Sequence, residues 1–153
     1  MNELKRIMLA EDDARDVELT LRALAQRNLA NEVVVVHDGA EALDYLHRRG
    51  AWASRPIGNP VVVLLDLKLP KVDGLQVLRH LKGDAQLQMI PVVILTSSRE
   101  ERDLLEGYRL GVNAYVVKPV LFDTFVEAVR QLGIFWALTN ESPPGSIGRQ
   151  RET

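Results

Sequence analysis

Residues 61 to 74 read Val61-Val62-Val63-Leu64-Leu65-Asp66-Leu67-Lys68-Leu69-Pro70-Lys71-Val72-Asp73-Gly74. The first five are apolar at every position, not at every second one, and mostly β-branched. That pattern predicts a strand buried on both faces, hence a parallel sheet covered by helices on each side. Asp66 ends the run abruptly with a carboxylate. Working outward, similar short runs stand at Arg6–Ala10, Val33–Val36, Val92–Leu95 and Ala114–Val117. Between them lie helical stripes: Val17, Leu21 and Leu24; Leu43 and Leu46; Val77, Leu78 and Leu81; Leu104, Leu105 and Tyr108; Phe122, Phe125, Val126 and Val129. Five strands alternating with five helices predict an α/β fold, a doubly wound five-stranded parallel sheet with helices on both faces. Asp13 can cap the first helix, with Asp16 favourable in its first turn. Gly50 can end the second helix and Gly111 the fourth. The stretch from Gly50 to Pro60 reads as a long loop.

The 153 residues fit one domain. We expect it to occupy residues 1–138, with 139–153 as a tail that is partly disordered or packed on a partner, because Asn140-Glu141-Ser142-Pro143-Pro144-Gly145 and the charged residues after it break the pattern. A composition of 46% hydrophobic and 26% charged residues, with net charge -2, gives none of the basic surplus of a nucleic-acid binder. With no cysteine, disulfides, thiolate metal sites and Cys nucleophiles are excluded. The polar N-terminus lacks the apolar core of a signal peptide, and no apolar run approaches the ~18 residues of a membrane span. A cytoplasmic location is expected.

In open α/β sheets ligands bind beyond the carboxyl ends of the strands. Strand one ends in Glu11-Asp12-Asp13, strand three in Asp66, strand four in Thr96-Ser97-Ser98 and strand five in Lys118-Pro119. If those strands are neighbours, carboxylates, a hydroxyl and an ammonium gather in one pocket. Clustered carboxylates repel, and a divalent cation relieves the repulsion; oxygen ligands without His or Cys favour Mg²⁺. A carboxylate can also act as nucleophile and form an acyl phosphate, which needs mainly positioning and charge neutralisation.

With these residues in place, the chain resembles the receiver domain of two-component response regulators. The matching segments are Ile7-Met8-Leu9-Ala10-Glu11-Asp12-Asp13, Leu64 to Gly74, Ile94-Leu95-Thr96-Ser97-Ser98 and Ala114-Tyr115-Val116-Val117-Lys118-Pro119, in order and spanning the chain to about Gly133. The resemblance implies a flavodoxin-like receiver fold. It implies Asp66 as phosphoacceptor for a sensor histidine kinase, and Glu11 and Asp12 as the acidic pair. Asp12, Asp66 and the Lys68 carbonyl would bind Mg²⁺. Thr96 would be the switch hydroxyl, Tyr115 the switch aromatic and Lys118 the phosphate-binding lysine, with Lys118–Pro119 cis. The long Gly50–Pro60 loop and the ending Gly133-Ile134-Phe135-Trp136 are similar to those of the small stand-alone regulators that serve phytochrome-type kinases.

Each residue also has an ordinary reading. Asp66 could form a turn, Glu11 and Asp12 could begin a solvated one, and Thr96 could merely finish a strand. Lys118 could be a solvated surface lysine, and Tyr115 could be a half-buried strand tyrosine with no further role. Their joint register favours the site. Asp13, Asp16 and Asp73 read as caps and turn formers, with Asp73-Gly74 a turn signal. His37, His47 and His80 show no ligand spacing and read as surface or packing residues. Two competing functions are an Mg²⁺-dependent aspartyl phosphatase or phosphotransferase and a receiver-like interaction module that needs no phosphate. In haloacid-dehalogenase-like phosphatases an acid stands two positions beyond the nucleophile; here that position is Lys68. The chain ends too soon for a DNA-binding output domain, so the expected output is a protein contact. Ile134, Phe135, Trp136 and Leu138 would form an apolar patch past the last helix, pointing to a homodimer.

Overall fold

The computed structural model describes residues 5–25, 31–97, 101 and 114–133. Five strands form one sheet in the order β2-β1-β3-β4-β5. They are β1 (Lys5–Ala10), β2 (Asn31–Val36), β3 (Val62–Asp66), β4 (Val92–Thr96) and β5 (Ala114–Val117). Every pairing is parallel, with Leu9 opposite Val35 and Leu64, Leu65 opposite Ile94, and Leu95 opposite Val116. The described helices are α1 (Ala14–Ala25), α2 (Gly39–His47), α3 (Gly74–Gly83) and α4 (Phe122–Gln131). The expected helix around Leu104, Leu105 and Tyr108, the patch at Ile134, Phe135, Trp136 and Leu138, and the tail lie outside the described residues.

The unbroken apolar run of β3 has the predicted cause. Val63 and Leu65 enter one core with α2 and α3, while Val62 and Leu64 enter the other with α1 and α4. All five β3 residues are buried. This is the doubly wound sandwich expected of the sequence, in the flavodoxin-like order. Burying a Leu or Val side chain is worth roughly 1.5–3 kcal/mol, so both faces hold the central strand firmly.

Two local expectations are corrected. On α1 the buried residues are Thr20, Ala23 and Leu24. Leu21 is 36% exposed, because the buried stripe centres between Thr20 and Leu24 and leaves Leu21 on its rim. The second helix ends before Gly50: Arg48 takes the left-handed cap conformation at φ 54, and its N–H and that of Arg49 close on Tyr45 O and Asp44 O. Gly50, also at positive φ, begins a single 3-10 turn (Gly50–Trp52). His47 and His80, read as surface or packing residues, meet at 2.7 Å because α2 and α3 lie side by side on one face.

The long loop between α2 and β3 is organised by Arg55, only 7% exposed. Its guanidinium donates to Tyr45 O at 2.6 Å, Pro56 O at 2.8 Å and Gly58 O at 2.9 Å, and lies 4.2 Å over the Tyr45 ring. A buried cation is tolerated because helix-end and loop carbonyls replace its water.

Candidate functional site

Parallel strands bring their carboxyl ends to one edge, and the candidate residues stand there. Glu11 follows β1; its N–H donates to Val36 O at 3.0 Å, which prolongs the ladder and turns its side chain inward to complete burial. Asp12, the next residue, is exposed. Asp13 then caps α1, its carboxylate accepting from Arg15 N–H at 2.9 Å and Asp16 N–H at 3.0 Å. Asp66 closes β3 at 5% exposure. The chain folds back over it: Lys68 N–H donates to Asp66 Oδ1 at 3.3 Å, and Gly74 N–H to Leu67 O at 2.9 Å. Asp73 and Gln76 form a reciprocal capping box at the start of α3. Asp73, read as a cap and turn former, is thus the cap of α3, and Gly74, read with it as a turn signal, is the first helical residue. A Cβ on Gly74 would collide with the Asp66 carbonyl and the Leu67 backbone, so only glycine lets α3 start this close to the site.

Lys118 is carried in from β5. Its N–H donates to Thr96 O at 2.8 Å, and Lys118–Pro119 is cis as expected. Its ammonium donates to Glu11 at 3.2 Å, Asp66 at 3.3 Å and Asp16 at 2.9 Å. Burial alone would lower the Lys118 pKa; the hydrogen bond to Asp16 and the charges of Asp66 and Glu11 outweigh it and hold it above the ordinary value. Burial pushes the Glu11 carboxyl up to about 7, reinforced by its contact with the Asp66 carboxyl and partly offset by Lys118. Thr96 is fully buried at the end of β4, and its hydroxyl has no partner among the described residues. Tyr115 is half-buried against the α2–α3 core.

The structure thus brings together Glu11, Asp12, Asp66 and Lys118, with Thr96 and Lys68 bordering them. Two further residues escaped the sequence reading. Asp16, taken as a helix-start residue only, also makes the shortest contact to Lys118. Glu101 accepts from Ser97 N–H at 2.8 Å and pairs with Lys68 at 3.2 Å, tying the loop after β4 to the loop after β3. Burial would raise the Glu101 carboxyl, but bonds from Ser97 and Lys68 prevail and hold it below the ordinary range. The spacing of Ser97 and Glu101 was the available local signal; Asp16 had none toward Lys118.

A divalent cation fits this arrangement. The carboxylate oxygens of Glu11, Asp12 and Asp66 come within 4.8 Å of one another. One lysine cannot balance four carboxylates, and an all-oxygen donor set suits a hard cation.

The profile of the response regulator receiver domain matches residues 7–130, and the chain belongs to that family. Phosphorylation by a sensor kinase is the general function of its members, which carry signals and typically bind a divalent metal. A solved structure of the bacteriophytochrome response regulator AtBRR is 63% identical, covering 92% of this chain and all of that one (100%), with TM-score 0.87. Response regulator Rcp1 of Synechocystis sp. is 35% identical over 93% of this chain and 95% of its own length. Its Mn²⁺-bound crystal structure superposes over 92% of this chain and 99% of that one, with TM-score 0.71 and 37% identity. The phosphorylated cyanobacterial phytochrome response regulator RcpA is 39% identical over 94% of this chain and 100% of its own, with TM-score 0.72.

Proposed function

We propose that this receiver accepts a phosphoryl group on Asp66 from the phosphohistidine of a phytochrome-type sensor histidine kinase, in the cytoplasm, with Mg²⁺ in the acidic site. The observation that carries the reading is the Asp66 carboxylate itself, nearly buried, 3.3 Å from the Lys118 ammonium and converging with Glu11 and Asp12. The phytochrome connection rests on the resemblance to AtBRR, Rcp1 and RcpA.

One carboxylate oxygen of Asp66 attacks the phosphorus. The P–N bond of the donor breaks, and the histidine nitrogen leaves with its electron pair. Asp66 needs no general base, since it is already an anion. Lys118 offers its ammonium to the incoming phosphoryl oxygens, exchanging carboxylate partners for them. Thr96 offers the hydroxyl that now has no partner. Asp12, Asp66 and the Lys68 carbonyl, with Glu11 behind them, would hold Mg²⁺, which when bound neutralises charge on the transferred group. Tyr115 follows the movement of Thr96 as the aromatic half of the switch. Lys68 occupies the place where a phosphatase of the haloacid-dehalogenase type carries its acid, so we read the product as a lasting mark and the chain as a switch, not an enzyme.

Incubation with acetyl phosphate and Mg²⁺ should add one phosphoryl group per chain by mass spectrometry, and Asp66→Asn should add none while keeping its circular dichroism. Labelling of Asp66→Asn at the wild-type level would end the assignment.

We further propose that residues 1–138 form the receiver unit, with 139–153 a tail, and that the output is a protein contact. The apolar run at Ile134, Phe135, Trp136 and Leu138 supports a homodimer built on the last helix and the segment after it. Light scattering on wild type and on Phe135→Ala/Trp136→Ala tests this. A wild-type monomer with and without phosphate would refute it, and a variant that stays dimeric would place the contact elsewhere.

A further inference from the structure

Among the described residues, outside the acidic site, one more group of ligating side chains converges: His47, His80 and Asp84, whose donor atoms all lie within 4.8 Å of one another. His47 stands in the last turn of α2 and His80 in the last turn of α3. Asp84 is the C-cap residue of α3, four positions after His80 and so one turn along the same face. Both helices start at the phosphoacceptor edge of the sheet and run back from it. The cluster therefore sits at the opposite pole of the fold.

The two imidazoles meet edge to face, with ring centroids 4.9 Å apart and planes at 87°. Their Nε2 atoms point at each other across 2.7 Å. At that separation one nitrogen must donate a proton and the other accept it. The two lone-pair positions are thus aimed at one point in space. Asp84 is fixed as well: its Oδ1 accepts from Gln86 N–H at 2.8 Å and Leu87 N–H at 3.1 Å. Backbone bonds of this kind orient a carboxylate and leave its second oxygen for another partner. His47 and Asp84 are half-buried while His80 is exposed, which gives the cluster a floor and a path from solvent.

From this geometry we infer that His47, His80 and Asp84 form a second metal site, for a late first-row divalent cation of the Zn²⁺ type. Two imidazole nitrogens and one carboxylate oxygen are the donor set Zn²⁺ prefers, and three protein ligands leave the fourth tetrahedral position to water. The set discriminates against Mg²⁺, which demands oxygens, whereas the acidic pole does the reverse. Binding displaces the shared proton and parts the rings modestly: two nitrogens at ~2.0–2.1 Å from a tetrahedral ion lie ~3.3 Å apart. His80 is exposed and can make that adjustment. The ion then bridges the ends of α2 and α3. Since α3 begins against the Asp66 backbone, occupancy ties down the helix that the phosphorylation site leans on.

The test is calorimetric titration of the full chain with ZnCl₂, Mg²⁺ being present in large excess to occupy the acidic pole. We expect one Zn²⁺ per chain. His80→Gln and His47→Gln should each lose at least about tenfold in affinity. Asp84→Asn, which still accepts from Gln86 and Leu87, should lose less. Asp12→Ala should bind Zn²⁺ within about twofold of wild type. On wild type alone, NMR should show the ring resonances of His47 and His80 moving together while those of His37 stay, so the result does not depend on any variant folding. No binding at up to ~0.1 mM Zn²⁺ would overturn the inference and leave the pair a packing hydrogen bond. So would affinity unchanged in both histidine variants, affinity lost in Asp12→Ala, or half a Zn²⁺ per chain, which would mean bridging between copies.

Discussion

Lys118 is held by three carboxylates at once, and the shortest contact, 2.9 Å, goes to Asp16 on α1. The ammonium is thus parked between the acidic pair and the first helix, and on the proposed reading it gives up partners when a phosphoryl group arrives. Thr96 is in the opposite condition. Its hydroxyl is buried and unpaired among the described residues, which costs stability until an acceptor appears. The proposed switch role of Thr96 rests on that asymmetry: poorly satisfied before the signal, satisfied after it. Thr96→Val keeps the shape and removes the unpaired hydroxyl. We expect it to raise the stability of the unphosphorylated protein by about 1 kcal/mol in urea, to accept phosphate on Asp66, and to lose the phosphate-induced spectral change. A Thr96→Val protein less stable than wild type would mean that the hydroxyl is satisfied by water.

Among the elements, the joint between β3 and α3 carries the site and the joint between α2 and β3 carries the loop. At the first, the Asp73–Gln76 box starts the helix, and Gly74 lets it press on the Asp66 backbone. At the second, Arg55 bonds the last-turn carbonyls of α2 and the carbonyls of its own loop. Removing the guanidinium takes the donor from the part-buried Pro56 and Gly58 carbonyls and leaves Tyr45 O with Arg48 N–H alone. Arg55→Met should therefore cost about 2–4 kcal/mol, read from urea unfolding, and should expose Trp52, which stacks edge-on to Tyr45 at 5.0 Å. Its fluorescence would shift to the red in the folded baseline. A loss under ~0.5 kcal/mol would show that water replaces the guanidinium freely.

At the scale of the whole molecule, the fold separates two poles. The carboxyl ends of the strands collect hard oxygens, and the far ends of α2 and α3 collect imidazoles. The acidic pole is electrostatically strained without a cation, because Glu11 and Asp66 are buried side by side. Mg²⁺ at ten times its Kd should add about 1.4 kcal/mol, a rise in Tm of roughly 3–6 °C for a chain of this size. Asp12→Ala should abolish most of that rise, measured by calorimetry, and should leave the metal-free Tm nearly unchanged since Asp12 is exposed. An undiminished Mg²⁺ shift in the variant would move the ion away from Asp12.

The amino-acid sequence alone determined the sheet, its parallel sense and the strand ends at which chemistry collects. Val61–Leu65 and several of its relatives are apolar at every position, and that pattern is local and hard to satisfy any other way. Four segments in register then pointed to the family, and the proposed site residues Asp66, Asp12, Glu11 and Lys118 were legible because each stands at or just past the end of its strand. What the tertiary structure decided are pairings between elements distant in the chain. Asp16 meets Lys118 across 102 positions, and His47 meets His80 across 33. No periodicity encodes such meetings; they depend on which face of the sheet a helix packs against and on how far along it runs. The same holds for Arg55, whose sequence neighbourhood reads as a polar loop. Only the closing of that loop onto the end of α2 turns the residue inward, where carbonyls can stand in for water.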